Sequence, residues 1–554
     1  MIEGQHGENS KCFIRKSLVR HLDACVGKTL GSLDVSEVFK RKADKPKVTG
    51  IAGDVIEQSI LQLRSNPKKE PDIEVDGIQY EVKTTGVRKP KRGDALWEAK
   101  EPMTITAVSP ETITSEIYSN SSFWHKIEHL LIFYYHYNSP TTVKSFEYAK
   151  FPLLDYQFHE VSDFSDEERE MLKGDWEQIR NFIHYLQTNY GAACAEEYPR
   201  LSHELRETLL LLDTAPKWPN RPRFRFKRSF VSSIVQKHFS KKKLEKLPES
   251  IPNFRELDEK CYTLQVKYRG FTVGQLCKEF GIKVSKDFKA ITEPIIIRMF
   301  GGKSRSMREV EFFCKVGVWG KSFTITRTGG RTEDAKFFTI DFDEFMEDSI
   351  SFEDSQFYEF FSSNRILIAV FEEPDSDSSL TDNRFIGFRT IVFREDFIDN
   401  EVRLLWNRIR DLIRNKELRD VPVLDSKGNQ IVNKNGRLRS APNLPKSSEG
   451  PLFVRGTGRD SSDKHECVNG IKMYSQQVWM RGDYIAKLLE ETYPIVTSQW
   501  SHDDIAIVEG RGKAAQEPQS DSASRPVPPP RRRRQSDAVT LSESTYDEVL
   551  DGEG

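Results

Sequence analysis

Three residues near the N-terminus have the types and spacing needed to hydrolyse a phosphodiester. Asp72 and Glu81 offer the carboxylate oxygens that Mg²⁺ prefers, and Lys83 lies two residues after Glu81. Because side chains two apart in a strand point to the same side, Glu81 and Lys83 share one face while Tyr80 and Val82 face the core. A bound Mg²⁺ generates hydroxide and neutralises phosphate charge, and an adjacent lysine orients the attacking water.

An acidic residue two positions before a lysine is a weak indication by itself. The same pattern recurs in Glu98-Ala-Lys100, Asp287-Phe-Lys289 and Asp334-Ala-Lys336, where it is typical of solvated surface. Only Glu81-Val-Lys83 follows a Pro-Asp pair by the length of a hairpin, in a strand-like run. The alternative interpretation of this stretch is an exposed edge hairpin with alternating charge.

The surrounding pattern predicts a mixed α and β region that holds these residues. Residues 48–63 have the apolar spacing of a helix, and this helix carries Glu57. Asp76-Gly77 is a hairpin-turn signal between two short strands. The pattern predicts further strands over 103–108 and 129–137 and an acidic helix over 166–188, and a basic segment over 221–240 closes this half.

Composition places the chain among globular proteins of two to four domains. It has 554 residues, of which 37% are hydrophobic and 30% charged, and its formal net charge is −2. No apolar run reaches membrane-spanning length, and residues 1–11 lack the apolar core of a signal peptide. The 7 cysteines are scattered without a CxxC pair, so we expect neither a zinc site nor a disulfide framework. A reducing cytoplasm is therefore the expected location.

A basic segment extends over residues 217–246. Phe224 and Phe226 alternate with Arg223, Arg225 and Lys227, as in a strand with one buried face. We therefore predict that the aromatic rings are core and that the three cations lie together on the open face, where they track phosphates. The alternative is an ordinary solvated face.

The second half of the chain faintly repeats the first. Residues 28–33 are echoed by 270–276, and the helix that carries Glu57 is echoed by one that carries Glu293. Such echoes also arise by chance.

Residues 246–262, rich in Lys and Pro, are interpreted as a linker, and the tail from residue 509 has the composition of a disordered segment. Its arginine run either adds non-specific DNA affinity or has no specific role.

These residues together resemble the MutH-like DNA endonucleases, and in particular the two-domain restriction enzymes of the Sau-three-A type, which cut at GATC. The resemblance covers nearly everything except the tail. In the first half it rests on residues 53–58, Pro71-Asp72, Glu81-Val-Lys83, 122–134 and 223–233. In the second half it rests on residues 357–372, 385–414, 452–459 and 476–485.

The resemblance implies an α/β (mixed α+β) chain with two tandem MutH-like restriction-endonuclease-type folds. The expected parts are a catalytic domain (1–245), a linker (246–262), a DNA-binding effector domain (263–508) and a disordered tail (509–554). Trp319 stands at the position of the catalytic glutamate in the second copy. Tryptophan cannot bind magnesium, so the second copy is expected to be catalytically degenerate and to bind a second GATC site as an effector.

The resemblance also assigns roles to individual residues. Asp72 and Glu81 would hold Mg²⁺, Lys83 would position water, and Glu57 and Lys126 would support the site. His125, beside Lys126, is more readily interpreted as a surface or structural residue than as a catalyst. The residues expected to contact DNA are Lys217, Arg223, Arg225, Lys227, Arg228, Arg455 and Arg459.

Two departures from the family pattern stand out. The first reading loop, residues 212–219, is short and lacks the expected arginine, so Lys217 would have to substitute for it. The spacing between Asp72 and Glu81 is longer than usual, and a longer hairpin loop would absorb the difference. In the second half, Arg455 is the leading candidate for contacting guanine, and a phosphate contact is the alternative.

The expected function is a Mg²⁺-dependent type II restriction endonuclease that cuts both strands at GATC or a related site. It would leave a 5′-phosphate and a 3′-hydroxyl. A palindromic site needs two catalytic domains, so we expect a monomer that pairs on double-stranded DNA, and a cognate DNA methyltransferase is a further expected partner. The alternatives are a MutH-like enzyme that nicks one strand in mismatch repair and a catalytically silent DNA-binding component of a defence system.

Overall fold

The computed structural model describes residues 11–42, 50–63, 72–89, 97–139, 141–214, 221–240, 243–284, 289–327, 333–348, 350–375, 377–425, 427–432, 436 and 438–492. The strands of the first half are β1 (Cys12–Phe13), β2 (Ile73–Val75), β3 (Ile78–Arg88), β4 (Glu98–Ala99), β5 (Met103–Ala107), β6 (His129–His136), β7 (Leu153–Glu160), β8 (Leu212–Asp213) and β9 (Arg223–Phe226). Its helices are α1 (Arg15–Asp23), α2 (Leu30–Leu33), α3 (Val38–Arg41), α4 (Ile51–Val55), α5 (Pro110–Ile113), α6 (Ser122–Ile127), α7 (Asp166–Tyr190), α8 (Cys194–Glu197), α9 (Leu201–Glu204) and α10 (Arg228–Phe239).

The predicted hairpin at Asp76-Gly77 is confirmed. Both residues have positive φ, 49° and 83°, as a two-residue turn of the mirror-image type requires. The turn sets the pairing of Ile73 with Tyr80 across β2 and β3. With this register Tyr80 (0% exposed) and Val82 (5%) face the core, as the alternation predicts.

Strand β6 is the centre of the main sheet and is buried on both faces. It pairs in parallel with β3 and antiparallel with β7. Alternate side chains of β6 enter two different cores: Leu130 and Ile132 join the cluster that contains Trp176 of α7, whereas Leu131 and Phe133 join a second cluster near α1 and α4. Two-sided burial explains why this segment is a continuous apolar run.

The second half has its own set of elements. Its strands are β10 (Val318–Thr326), β11 (Ala335–Thr339), β12 (Arg365–Glu373), β13 (Arg384–Ile391), β14 (Asp420–Pro422), β15 (Ser440–Pro442), β16 (Leu452–Gly456), β17 (Glu466–Val468), β18 (Ile471–Met473) and β19 (Gln476–Met480). Its helices are α11 (Phe254–Tyr268), α12 (Val273–Glu279), α13 (Lys289–Met299), α14 (Glu311–Val316), α15 (Asp343–Met346), α16 (Gln356–Ser363), α17 (Glu395–Phe397), α18 (Arg403–Arg414) and α19 (Gly482–Thr492).

The two halves repeat one topology, so the expected pair of tandem folds is confirmed. In the second half β12 pairs in parallel with β10 and antiparallel with β13, which repeats the arrangement of β3, β6 and β7. A smaller sheet follows in each half, with the order β5-β9-β8 in the first and β11-β19-β16 in the second. The echoed segments both begin a helix whose N-cap is a threonine, Thr29 or Thr272.

The prediction of a linker over residues 246–262 is wrong. Helix α11 begins at Phe254, and Ile251, Phe254, Leu257 and Cys261 are all buried. The positions 254, 257, 261 and 264 have helical apolar spacing, which the Lys-rich and Pro-containing flank obscured. This segment therefore joins the halves through packed structure and not through an exposed connection.

The two halves share a polar interface around α10 and α14. Lys237 Nζ lies 2.7 Å from Glu168 Oε1 of α7 and 3.4 Å from Glu311 Oε1 of α14. Arg206 Nη2 also lies 2.7 Å from Glu395 Oε2. One apolar cluster includes residues of both halves, and both halves belong to one compact unit.

The predicted tail over residues 509–554 lies outside the described residues, and the domain boundaries stay a prediction. Among the described residues, no helix combines the length and apolar character needed to cross a membrane.

Candidate active site

Glu81 lies at the centre of a cluster of charged side chains on strand β3. Its side chain is buried, and each of its two oxygens contacts a different lysine. Lys83 Nζ donates to Oε1 at 2.7 Å, and Lys126 Nζ donates to Oε2 at 2.5 Å. The predicted common face of Glu81 and Lys83 is confirmed, and the two ammonium groups offset the cost of burying the carboxylate.

The parallel pairing of β3 and β6 brings Lys126 to Glu81. Glu81 lies opposite Leu130 on β6. Lys126 is four residues before Leu130, on helix α6, which leads directly into β6. Ser121 caps this helix by accepting the backbone N–H of Trp124, so the start of α6 is fixed. Lys126 is 8% exposed, and it therefore reaches Glu81 from a rigid element.

Asp72 is held beside Glu81 by the backbone of the hairpin. The N–H of Val82 donates to Asp72 Oδ2 at 2.9 Å, and the N–H of Asp72 donates to Tyr80 O at 3.1 Å. Burial and the charge of Glu81 raise the pKa of Asp72. The long spacing in sequence between Asp72 and Glu81 therefore does not separate the two carboxylates.

Glu57 approaches the same carboxylates from the predicted helix. The helix begins as α4 and continues as a π-helical turn over Ile56–Ile60, which carries Glu57. Single π-turns within helices are frequent at functional sites. Burial, together with the charges of Asp72 and Asp54, raises the pKa of Glu57 to about 7. The charge of Lys83 acts in the opposite direction and partly offsets these effects.

The donor set fits Mg²⁺ in its chemistry. Magnesium usually takes one or two carboxylates together with waters and phosphate oxygens, and Asp72 and Glu81 supply those carboxylates. Burial and, to a smaller extent, repulsion between carboxylates raise the pKa values of Asp72 and Glu57, and a divalent cation would relieve that repulsion. Within the described residues, no three His, Cys, Asp or Glu side chains converge on one point as a complete ligand set. The metal stays a prediction.

A cleft of about 650 Å³ opens next to this cluster, and Lys126 lies in its wall. The cleft is formed by the β2–β3 hairpin, the end of β5 and helix α6, with polar groups from Gln79, Thr106 and His125. His125 is exposed and its Nε2 lies 3.0 Å from Asn120 Oδ1. Gln79 and Thr106 carry no sequence signal of this placement, because it depends on the packing of three separate elements.

The basic residues around β9 do not form the predicted open face. Arg223 is exposed, but Arg225 pairs with Asp213 at 2.8 Å. Lys227 is only 7% exposed, and its Nζ donates to Leu209 O at 2.6 Å. The prediction for Lys227 is wrong because β9 ends at Phe226 and Lys227 is already the N-cap of α10, so the strand alternation no longer applies.

Arg228, one of the residues expected to contact DNA, is engaged by carboxylates of the protein itself. Arg228 lies between the halves, with Nη2 3.0 Å from Glu98 Oε1 and Nη1 3.5 Å from Glu359 Oε1. An arginine engaged by two carboxylates is poorly placed to bind phosphate. Lys217 lies outside the described residues.

In the described part of the second copy, the position that corresponds to Glu81 is occupied by Trp319. Trp319 on β10 lies opposite Ile366, as Glu81 lies opposite Leu130. Four residues before Ile366 is Ser362, where the first copy has Lys126. Trp319 packs against the Phe360 ring at 5.2 Å and beneath the Arg308 guanidinium, also at 5.2 Å. The predicted degeneracy is confirmed at the position that corresponds to Glu81.

The predicted reading residues of the second half lie around the sheet β11-β19-β16. Arg455 is on β16, and Arg459 follows in the adjoining loop with 93% of its side chain exposed. Asp334, which sequence reasoning assigned to solvated surface, has only 20% of its side chain exposed and pairs with Arg455 at 2.8 Å. That interpretation is wrong because the partner lies 121 residues away in the sequence.

Two comparisons with known proteins agree with this arrangement. Residues 61–175 match the family model described as DNA mismatch repair enzyme MutH. The chain is also 23% identical over 511 residues to the Type II restriction enzyme Sau3AI of Staphylococcus aureus, which covers 84% of this chain and 96% of that protein. The MutH match includes Asp72, Glu81, Lys83 and Lys126, and the longer similarity extends into the second half. The predicted resemblance to MutH-like restriction endonucleases is confirmed.

Proposed function

We propose that the protein is a type II restriction endonuclease that hydrolyses both strands of double-stranded DNA at GATC or a related site. The observation that carries this proposal is the convergence of two lysines on the buried carboxylate of Glu81, beside Asp72 and at the edge of an open cleft. A structural ion pair needs one cation, whereas a site for an anionic substrate benefits from two. The similarity to Sau3AI supports the restriction-enzyme class.

Asp72 and Glu81 would hold Mg²⁺. When bound, the ion would stabilise negative charge on the phosphate as a Lewis acid and would lower the pKa of the attacking water. Lys83 would then hold the attacking water by its ammonium and stabilise the anionic transition state. Lys126 fixes the orientation of Glu81 and adds positive charge at the cleft wall. Glu57, with its raised pKa, would accept and release a proton near neutral pH.

The second half would bind a second DNA site and regulate cleavage at the first. Trp319 replaces the acidic residue, so this copy cannot repeat the chemistry. Its contact surface with the first half, through α10 and α14, offers a physical route for coupling. Cutting both strands of a palindrome would require two chains to pair on DNA. A cytoplasmic location and a cognate methyltransferase complete the proposal.

A strand-nicking MutH-like activity is the second candidate. The family model that matches residues 61–175 is that of a mismatch-repair enzyme, and it covers the whole cluster around Glu81 except Glu57. The presence of a second MutH-like fold favours the restriction enzyme instead.

Digestion of an unmethylated plasmid with several GATC sites tests these candidates directly. With Mg²⁺, the wild-type chain should give discrete fragments that map to GATC, and Glu81→Ala should give none while retaining DNA binding. Glu74→Gln is the matched control, because Glu74 lies on the same hairpin but its carboxylate contacts Gln79. Nicked circles alone would favour the MutH-like activity, and binding without cleavage would support a silent DNA-binding protein.

A further inference from the structure

Arg455 is held in a fixed position by three groups of the second half. Its Nη2 lies 2.8 Å from Asp334 Oδ2. Its guanidinium carbon lies 4.9 Å from the centre of the Phe453 ring and 5.0 Å from that of Trp479. Nevertheless 47% of the side chain is exposed, so the guanidinium is both immobilised and accessible to a ligand.

The carboxylate of Asp334 is itself anchored. Its Oδ1 accepts the backbone N–H of Gly482 at 3.2 Å, at the start of α19, while Oδ2 accepts from Arg455. Because each oxygen has a separate partner, Asp334 links the first turn of α19 to the tip of Arg455. Lys336, two residues further on, places its ammonium 5.9 Å from the Trp479 ring on the same sheet. This surface thus combines cations and an aromatic ring.

Arg459 provides a contrast within the same segment. Its side chain is 93% exposed, and its nearest carboxylate, that of Asp463, lies 3.9 Å away. An exposed cation is sufficient for a phosphate contact, which needs charge and little geometry. Reading a base edge requires a guanidinium whose orientation is set in advance, because both of its hydrogen bonds must form together.

We infer that Asp334 positions Arg455 to read a guanine, with the guanidinium fork directed at O6 and N7 in the major groove. One N–H of Nη2 stays with Asp334, and the remaining donors of the fork serve the base. Asp334 is a positioning residue in this arrangement, and Arg459 binds backbone phosphate. The inference rests on the proposed function, in which the second half binds DNA.

The test is a double-mutant cycle between the protein and the DNA. Binding of the full-length chain is measured in EDTA by fluorescence anisotropy, with duplexes that contain one GATC site and with the same duplexes made with 7-deaza-guanine, which lacks N7. For the wild type we expect roughly tenfold weaker binding to the modified duplex. Arg455→Lys and Arg455→Ala should abolish most of this difference. Asp334→Asn, whose oxygen still accepts from Gly482, should reduce it.

Each outcome has a distinct meaning. Equal weakening of both duplexes by Arg455→Ala would overturn the inference and assign a phosphate contact. An unchanged difference in Asp334→Asn would overturn the role of Asp334 alone, and thermal unfolding of that variant controls for its fold. Arg459→Ala is the matched control and should weaken both duplexes equally, with a shallower dependence on salt. Failure of the wild type to bind any duplex would overturn the proposed function instead.

Discussion

Lys126 Nζ lies 2.5 Å from Glu81 Oε2, although the two residues are 45 positions apart. The contact exists because the helix that carries Lys126 leads into the strand that pairs with the one carrying Glu81. Lys83 holds the other oxygen of the same carboxylate. One acidic side chain thereby holds two lysines, and one of them, Lys126, lies in the wall of the cleft.

Replacing Lys126 with methionine keeps the length of the side chain and removes its charge. We expect the rate of DNA cleavage to fall by about 100-fold or more, since loss of one preorganised electrostatic contact has effects of that size. DNA affinity should change little, because Lys126 is buried against Glu81. Single-turnover cleavage and anisotropy binding measure the two effects. Lys150→Met, at a site 73% exposed, is the control, and equal rates in both variants would refute the role of Lys126.

The carboxylates of Asp72 and Glu81 should make the fold sensitive to magnesium. In the proposed function Mg²⁺ would bind the folded chain through these groups, so it should raise the temperature of thermal unfolding, by the equivalent of about 2.7 kcal/mol at 100 times its Kd. Asp72→Asn should lose this shift but should not be less stable without metal, because it removes repulsion from Glu81. Asp76→Asn, in the adjacent turn, should keep the shift. An unchanged shift in Asp72→Asn would contradict the assignment.

Lys227 and Arg223 should separate structural and DNA-binding roles. Lys227 is buried against Leu209 O, and the charge of Asp175 partly offsets the lowering of its pKa by burial. Lys227→Ala should therefore decrease the free energy of unfolding by about 3 kcal/mol, because an uncompensated buried charge remains. Arg223→Ala should leave stability within about 0.5 kcal/mol of wild type. It should instead weaken DNA binding and reduce the salt dependence by about one ion. Denaturant unfolding measures stability, and salt-dependent binding measures the DNA contact. If Lys227→Ala weakened DNA binding and Arg223→Ala reduced stability, the prediction of an open basic face would be supported instead.

Glu344 should introduce a pH dependence of stability. Burial raises its pKa to about 7, from an ordinary value of 4.5, while Gln356 N–H and Trp406 Nε1 donate to it. The Glu344 carboxyl holds its proton more tightly in the folded state than in the unfolded state. Its contribution to the free energy of unfolding is therefore complete below about pH 4.5 and is lost as the pH rises to about 7. The stability of the wild type relative to Glu344→Gln should fall by up to about 3 kcal/mol across that range. A constant difference between the two chains would show that Glu344 does not titrate there.

Local pattern was a reliable guide where neighbours in sequence decide the structure. Asp76-Gly77 specified a tight turn, and alternation then placed Tyr80 and Glu81 on opposite faces of the strand, although both side chains are buried. The resemblance to a known family supplied Lys126 and Trp319, whose positions relative to Glu81 are set by strand pairing far from the hairpin. No spacing rule applied to this chain alone would have connected these residues.

The failures came from long-range partners and from the ends of elements. In the sequence, Lys227 continues the alternation of β9, but in the structure it is already the N-cap residue of α10. Asp334 has the local context of a solvated residue, yet Arg455 and α19 enclose its carboxylate. Residues 254–262 have the composition of a charged linker, although Phe254, Leu257 and Cys261 are buried.

The amino-acid sequence by itself determined the hairpin, the acidic and basic residues on it, the apolar runs of the central strands and the repetition of elements. These properties depend on turn preferences and on periodicity, which act over a few residues. Only the tertiary structure decided which charges meet. It placed Lys126 on Glu81, buried Lys227 and paired Asp334 with Arg455, because the environment of a charged side chain depends on elements brought together by packing and not on its neighbours along the chain.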